Sequence, residues 1–169
     1  MPIRKPNRLK DYDYSFDGAY FVTICSKNHQ ELFACIDTVE NCLPTGKQPI
    51  YHLKLTQIGE IIENEIKELS CTYKDVNVDY HVIMPNHVHM IIIIYESDRR
   101  QVTNRRQNAA PTISRMIGQW KRAVTIKAGR LIWQKSFYDR IIRNEEEYRK
   151  IWEYIDTNPQ RWKDDEYFL

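Results

Sequence analysis

Two β-strands joined by a two-residue turn constrain the fold of this chain more than any other feature. The stretches VNVDYHVIM (76–84) and HVHMIIIIY (87–95) are rich in β-branched and aromatic residues, which predicts strands. Pro85 and Asn86 form a tight turn between them. So short a connection cannot make a crossover, and the two strands must therefore be antiparallel neighbours. The second strand is apolar on both faces, which places it in the middle of a sheet.

The rest of the chain alternates between strand and helix signals. AYFVTICS (19–26) predicts a first strand, and ELFACI with IYHLKL predicts a hairpin inserted after it. Thr56 can cap a helix that runs to about Ser70, and the pattern of 112–129 predicts a second helix that Gly129 ends. RLIWQ (130–134) predicts a short last strand. Asn144 then caps a C-terminal helix in which Glu147 completes a capping box.

Leaving the inserted hairpin aside, this order is βαββαβ, the ferredoxin-like arrangement, with an added C-terminal helix. We therefore expect an α+β fold with one antiparallel sheet and helices on one face. The length of 169 residues suits a single domain, assigned to residues 1–169. No apolar run approaches the about 20 residues of a membrane span, and the N-terminus lacks the apolar core of a signal peptide. We expect a cytoplasmic protein without a membrane partner.

The net charge of +2 hides an uneven distribution of charged residues. Residues 99–143 contain twelve lysines and arginines and a single acid, so this segment carries +11 and the rest of the chain −9. Basic residues interleaved with aromatic ones are typical of nucleic-acid-binding surfaces, although a solvated helix face has a similar composition. Residues 96–111 show no periodic pattern, and we expect a mobile basic loop there. The candidate DNA-binding residues are Arg99, Arg100, Arg105, Arg106, Arg115, Lys121 and Arg122.

His87 and His89 are candidate metal ligands. Side chains alternate along a strand, so both histidines point to the same face, about 7 Å apart along the strand. Neutral imidazoles placed in this way can share a divalent cation, alone or with a third ligand. Two histidines on a polar patch of a sheet would give the same pattern. His81 lies in the neighbouring strand with no signal for its facing, and we expect it to be structural or to support the ligands.

The C-terminal helix carries a tyrosine and an asparagine at the border of its apolar stripe. At about 100° per residue, Tyr154 falls at the edge of the stripe, and Asn158 lies one turn further on the same side. Both side chains would stand between core and solvent. Amphipathic packing of Tyr154, and a helix end at Asn158 before Pro159, would explain the same residues. The stripe itself consists of Tyr148, Ile151, Trp152 and Ile155.

Taken together, these stretches resemble one family of DNA-processing enzymes. MPNHVHM (84–90) resembles the His-hydrophobic-His motif of the HUH nucleases, and YIDTNP (154–159) resembles the tyrosine helix of the single-tyrosine transposases of that superfamily. WQKSFYDRIIRNEEEY (133–148) is similar to the stretch before that helix in the REP-associated tyrosine transposases. The resemblance extends over about residues 14–162 with the motifs in the same order.

The resemblance implies a single-stranded DNA endonuclease and strand transferase with a ferredoxin-like fold. His87 and His89 would bind Mg²⁺ or Mn²⁺. Tyr154 would attack a phosphate of single-stranded or hairpin DNA and form a 5′-phosphotyrosine intermediate. Asn158 would take the place of the third ligand, which is asparagine in the REP-associated branch and glutamine in the insertion-sequence branch. Such an enzyme would be a monomer or a homodimer.

Other functions fit part of the pattern. A nucleic-acid-binding module with a ferredoxin-like fold would share the fold and the charge, but it has no use for His87, His89 and Tyr154 together. A metal-dependent nuclease that uses water would need the histidines but not Tyr154. A structural scaffold would need none of these residues, and the basic segment argues against it.

Overall fold

The computed structural model describes residues 17–39, 50–95 and 112–168, and the predicted basic loop at 96–111 lies outside these ranges. Within them the chain forms six strands and three α-helices, with 3₁₀ turns at Lys27–His29 and Asn158–Asp164. None of these helices is both long enough and apolar enough to cross a membrane. The elements are β1 (Gly18–Cys25), β2 (Ala34–Val39), β3 (Ile50–Leu55), α1 (Gln57–Thr72), β4 (Val76–Ile83), β5 (His87–Ile94), α2 (Ile113–Ala128), β6 (Tyr138–Ile142) and α3 (Glu145–Thr157).

The main sheet has four antiparallel strands in the order β4-β5-β1-β6. β5 pairs with β1 along its whole length, from His87 opposite Cys25 to Ile94 opposite Gly18. β2 and β3 pair only with each other and form the predicted inserted hairpin. Without that hairpin, the strand order and the two intervening helices are those of the ferredoxin-like fold. The predicted fold class and the interior position of β5 are therefore confirmed.

The last strand of the sheet is not where the sequence pattern predicted it. RLIWQ (130–134) makes a single bridge, between Trp133 and Ser26, and the fourth strand of the sheet is β6. Ile132 is fully buried and Trp133 packs against the core, which explains the apolar pattern, whereas Leu131 is 76% exposed. β6 instead pairs with five consecutive residues of β1 and buries Ile142 on the side of α3. β6 becomes the last strand because it pairs along the edge of β1 that β5 leaves unpaired, and no local sequence pattern reveals that edge.

The two faces of the sheet are covered by different helices. α1 and α2 pack on the face that includes Val22 and Met90. α3 packs on the opposite face, where Ile155 joins a smaller cluster around Ile91. The expectation of helices on one face therefore holds for α1 and α2 only. Because side chains alternate along β5, its two histidines lie on the face that α3 covers.

The helix ends follow the capping signals in the sequence. The Thr56 and Thr112 hydroxyls accept hydrogen bonds from the third backbone N–H of α1 and of α2, respectively. The Asn144 side chain accepts from the N–H of Glu147 at 2.8 Å and so starts α3. Gly129 ends α2 with a φ of +67°, a left-handed conformation that glycine adopts without strain. The cap at Asn144 sets where α3 begins, and this sets the position of Tyr154 relative to the sheet.

Candidate active site

His87 and His89 converge at the end of β5 with their Nε2 atoms 3.0 Å apart. Both side chains are buried, with 0% and 1% of their surface exposed. Burial lowers the pKa of His89 to about 3. Burial, followed by the neighbouring imidazoles of His89 and His29, places the pKa of His87 well below its ordinary value. Both rings are therefore neutral near pH 7, which is the form that binds a metal ion.

Asn86 fixes the tautomer of His87. The Asn86 Nδ2 atom donates to the carbonyl oxygens of His29 (3.3 Å) and Tyr167 (2.7 Å), and this leaves Oδ1 facing Nδ1 of His87 at 2.8 Å. An amide oxygen only accepts hydrogen bonds, so Nδ1 of His87 must carry the ring proton. The Nε2 atom of His87 is consequently left with a free lone pair directed at His89.

Thr23 on β1 gives His89 a more adaptable partner. The Thr23 hydroxyl lies 2.8 Å from Nδ1 of His89, and a hydroxyl can donate or accept. When no cation is bound, Nε2–H of His89 can donate to His87 while Thr23 donates to Nδ1. When a cation needs both Nε2 lone pairs, His89 changes tautomer and Thr23 accepts from Nδ1–H. The pair can therefore change from a hydrogen bond to two metal ligands without any change in charge.

Tyr154 of α3, which packs on the same face of the sheet as the histidines, reaches the same point. Its hydroxyl oxygen lies 3.4 Å from Nε2 of His89. Phe21 of β1 positions both rings: it stacks on His89 with centroids 5.2 Å apart and meets the edge of Tyr154 at 6.1 Å. The predicted placement of Tyr154 at the border of the buried face of α3 agrees with this structure.

The electrostatic surroundings of Tyr154 keep its phenol protonated at neutral pH. Burial is the largest cause that raises the pKa of Tyr154 to about 12, and the carboxylates of Asp165 and Glu166 add to it. The side chains of Asn158 and Arg161 act in the opposite direction. The tyrosine is therefore a weak nucleophile until something at the site favours its anion.

Asn158, the predicted third ligand, is buried directly after α3. Its Nδ2 atom donates to Asp165 at 2.8 Å. Its Oδ1 atom is buried and has no hydrogen-bond partner within the described part of the chain. An unpaired buried acceptor costs about 1–3 kcal/mol, and a cation near Oδ1 would remove that cost.

The segment after the tyrosine helix contributes residues that the sequence patterns did not reveal. One Asp165 carboxylate oxygen and the ring nitrogens of His87 and His89 all lie within 4.8 Å of one another. The ring of Tyr167 lies over His87, with centroids 4.6 Å apart. These residues follow a helix end, where periodicity gives no information. The run of three acids at 164–166, close behind a predicted ligand, was the one available signal.

A cavity of about 630 Å³ opens beside Tyr154. Its lining includes the basic side chains of Arg140, Lys150 and Arg161, none of which the sequence analysis singled out, and the three acids at 164–166. Tyr138, 44% exposed, also lines it. The cavity thus joins the partly buried Tyr154 to a surface with charged side chains of both signs and an accessible aromatic ring.

Among the predicted DNA-binding residues, the three that the structure describes do not line this cavity. The other four, Arg99, Arg100, Arg105 and Arg106, lie outside the described residues. Arg115, Lys121 and Arg122 lie on α2, on the opposite side of the sheet from the histidines. The Lys121 ammonium group donates to the carbonyl oxygens of residues 134 and 136, at 2.6 and 3.2 Å, so it fastens the segment before β6 to α2.

His81 takes no part in the site. Its Nε2 atom lies 2.7 Å from a carboxylate oxygen of Glu63 on α1, and this bond is one of the causes that lower the pKa of Glu63 against the opposing, largest effect of burial. This contact with Glu63 agrees with the expectation that His81 has a structural role.

Comparisons with known proteins agree with this architecture. No family model matches the chain. An uncharacterized protein of Haemophilus influenzae is 31% identical over 180 aligned positions, which cover 98% of this chain and 93% of that protein. The solved structure of a REP-associated tyrosine transposase bound to a REP hairpin superposes with a TM-score of 0.62 at 19% identity, covering 92% of this chain and 74% of the other. The chain therefore belongs to one family with the Haemophilus influenzae protein and has the fold of a REP-associated tyrosine transposase.

Proposed function

We propose that this protein is a metal-dependent transposase that cuts single-stranded or hairpin DNA through attack by Tyr154. One observation carries the proposal: the Tyr154 hydroxyl lies 3.4 Å from a buried imidazole nitrogen that itself faces a second imidazole at 3.0 Å. A nucleic-acid-binding module has no need of a partly buried phenol beside two neutral histidines. The shared fold with a transposase that was solved bound to a REP hairpin supports the same function.

The residues present fit a divalent cation. Two nitrogen ligands that are each about 2.1 Å from one ion, at about a right angle, lie about 3 Å apart, which matches the separation of the His87 and His89 Nε2 atoms. The buried Oδ1 of Asn158, which has no partner among the described residues, would supply an oxygen donor of the kind that Mg²⁺ and Mn²⁺ prefer. A bound Mg²⁺ or Mn²⁺ would polarise the scissile phosphate and stabilise the departing oxygen.

Tyr154 would make the covalent bond. Its phenol oxygen attacks phosphorus, the bond from phosphorus to the 3′ oxygen breaks, and the products are a 5′-phosphotyrosine and a free 3′-hydroxyl. The proton lost by the phenol is balanced by the proton that the 3′ oxygen gains. Asn158 and Arg161 favour the phenolate, because both lower the pKa of Tyr154 against burial and the nearby carboxylates. The energy of the phosphate ester is kept in the link, so a second 3′-hydroxyl can rejoin strands.

The cavity beside Tyr154 offers a path for the DNA strand. Its volume of about 630 Å³ lies within the range of small-ligand pockets and can hold a nucleotide. Arg140, Lys150 and Arg161 suit contacts with backbone phosphates, and Tyr138 can stack on an unpaired base. These features support our proposal that the DNA strand binds at this cavity.

The proposal is tested by trapping the covalent intermediate. Radiolabelled DNA hairpins with randomised single-stranded flanks are incubated with protein and Mn²⁺, Mg²⁺ or EDTA, and adducts are resolved on a denaturing gel. We expect an adduct with either metal and none with EDTA. Tyr154→Phe removes one oxygen and keeps the ring, so DNA and metal binding should persist while adduct falls at least about 100-fold.

Three phenols line the cavity, so matched controls are needed. Tyr138→Phe and Tyr167→Phe should still form adduct, since neither is the proposed nucleophile. Tyr148→Phe is the control outside the site, because its hydroxyl bonds to Asp79. Cleavage that continues without adduct in Tyr154→Phe would show that water attacks and that the protein is a metal-dependent nuclease of another kind.

A further inference from the structure

We infer that Asp165, which follows the tyrosine helix and its 3₁₀ extension, is a further ligand of the cation held by His87 and His89. The inference rests on the proposed metal-dependent function, but it concerns a residue that no resemblance or motif identified. It makes the C-terminal segment (165–168) a part of the metal centre.

The position of Asp165 is the first argument. A carboxylate oxygen of Asp165 and one ring nitrogen from each histidine lie within 4.8 Å of one another, close enough to contact a common ion. His87 and His89 are almost completely buried, and Asp165 is partly buried beside them. Asp165 is thus close enough to both imidazoles to bind the same ion.

The charge of the site is the second argument. His87, His89 and Asn158 are all neutral as ligands, so they would leave the two positive charges of a buried cation uncompensated. Buried ions in proteins are normally paired with opposite charge, because an isolated charge in the interior is costly. Asp165 supplies a negative charge at ligand distance from the imidazoles.

The way Asp165 is held is the third argument. One carboxylate oxygen accepts from Nδ2 of Asn158 at 2.8 Å, and the other accepts from the backbone N–H of Tyr167 at 2.7 Å. Each oxygen has two lone pairs, so both keep one for a metal. Asn158 thereby orients Asp165 with its amide nitrogen while its own Oδ1 stays available. Ligands in metal sites are commonly oriented by such neighbouring hydrogen bonds.

The same contacts join the C-terminal segment to the histidines. The carbonyl oxygen of Tyr167 accepts from Asn86, the residue that fixes the tautomer of His87, and the ring of Tyr167 covers His87. Coordination by Asp165 would therefore hold the segment over the metal. The alternative is that the Asp165 carboxylate occupies the place of a DNA phosphate. In that case, removing its charge changes the affinity for DNA and leaves the affinity for metal unchanged.

The test is a Mn²⁺ titration of the full-length protein without DNA. Binding is measured by calorimetry and by the electron paramagnetic resonance signal of the Mn²⁺ that remains free. Asp165→Asn keeps the size of the side chain and removes its charge, and it should weaken Mn²⁺ binding at least about tenfold. Asp164→Asn, the adjacent acid outside the ligand group, should bind Mn²⁺ as the native protein does. Asp165→Glu should bind more tightly than Asp165→Asn, because the charge is restored. Circular dichroism checks that each variant is folded.

The possible outcomes separate the two proposals. Native Mn²⁺ affinity in folded Asp165→Asn overturns the assignment of Asp165, while loss of binding in His87→Ala and His89→Ala would leave the proposed function standing. Unchanged metal affinity with tighter DNA binding in Asp165→Asn would identify the carboxylate as a competitor of phosphate. Failure of the native protein to bind Mn²⁺ would count against the metal-dependent function itself. If Asp165→Asn does not fold, the Mn²⁺ affinity of Asp165→Glu is compared with that of the native protein. The longer side chain displaces the carboxylate, so Asp165→Glu should bind Mn²⁺ more weakly than the native protein if Asp165 is a ligand.

Discussion

At the residue scale, the chemistry of the site depends on hydrogen-bond partners that are not themselves ligands. Asn86 can only accept from His87, whereas Thr23 can donate to His89 or accept from it. The sequence placed both histidines on one face of a strand, and that prediction is confirmed. It could not identify Thr23, because β1 lies 66 residues away from His89 along the chain and only pairing of the strands brings the two together.

Substitution of Thr23 tests this account of the tautomers. Thr23→Val keeps the branched shape and removes the hydroxyl, so Nδ1 of His89 loses its buried partner. Loss of such a partner typically weakens metal binding about 10–100-fold. Thr23→Ser keeps the hydroxyl and should stay within about threefold of the native Mn²⁺ affinity. Equal affinities for the valine and serine variants would contradict the proposed role of Thr23.

The buried histidines also predict how stability depends on pH. The pKa of His89 is about 3 in the folded protein and about 6.5 when unfolded, so the unfolded chain binds more protons between these values. The stabilising contribution is therefore complete above pH 6.5 and is lost as the pH falls toward 3. At pH 5 the loss for this one residue is roughly 2 kcal/mol.

Urea unfolding in EDTA at pH 7 and pH 5 measures this effect. The variant His87→Gln/His89→Gln should lose clearly less stability between the two pH values than the native protein, and the difference isolates the contribution of the histidines. Equal losses in both proteins would show that burial of the neutral imidazoles does not set the pH dependence.

At the element scale, α1 starts in close contact with the segment before β2. The Thr56 hydroxyl accepts from Gly59 N–H at 3.1 Å and donates to the Leu32 carbonyl at 2.7 Å. A Cβ atom on Gly59 would lie 2.1 Å from the backbone oxygen of Phe33, a distance at which the backbone must move. The glycine is therefore what lets the helix approach the inserted hairpin.

The two glycines of α1 and α2 should respond oppositely to alanine. Gly59→Ala should destabilise the protein by about 2–3 kcal/mol or more, because the clash is with backbone and not with a flexible side chain. Gly118→Ala, in the middle of α2 with nothing within 4 Å of the new methyl group, should stabilise it by about 0.5–1 kcal/mol. Urea denaturation measures both, and a Gly59→Ala protein as stable as the native one would contradict the packing described.

Local signals predicted the helices well and the last strand poorly. α1 and α3 begin at the predicted caps, Thr56 and Asn144, and α2 ends at the predicted Gly129, because capping depends on residues a few positions apart. β6 was missed because its burial alternates irregularly and its partner is the edge of β1, more than 110 residues earlier in the chain. Asp165 was missed for a similar reason, since it reaches the histidines only after the chain turns back from α3.

At the scale of the whole molecule, the basic segment reaches both faces of the sheet. The segment 99–143 carries a net charge of +11 and includes α2 on the face away from the histidine and tyrosine site, while its Arg140 lines the cavity beside Tyr154. A DNA strand that enters the cavity to reach Tyr154 would need further contacts on the protein surface to bind the rest of the DNA. The basic residues at 99–106 remain our prediction for part of that binding surface.

Salt dependence tests the predicted contribution of this segment. Replacing Arg99, Arg100, Arg105 and Arg106 together by alanine should weaken single-stranded DNA binding. The slope of log affinity against log salt should fall by about 0.7 for each phosphate that the variant no longer neutralises. Lys67→Ala is the matched control for removing a surface charge, because Lys67 pairs with Glu63 on α1. An unchanged slope in the fourfold variant would show that these arginines do not bind the DNA backbone.

The central claim, that Tyr154 becomes linked to DNA, is tested most directly by mass spectrometry of the trapped adduct. Trypsin should release Tyr154 in the peptide IWEYIDTNPQR (151–161), which contains no other tyrosine, whereas Tyr138, Tyr148 and Tyr167 fall in SFYDR, NEEEYR and DDEYFL. After nuclease digestion, we predict a nucleotide mass on the 151–161 peptide, formed with Mn²⁺ and absent with EDTA. A nucleotide on one of the other three peptides, or cleaved DNA without any modified peptide, would contradict the account.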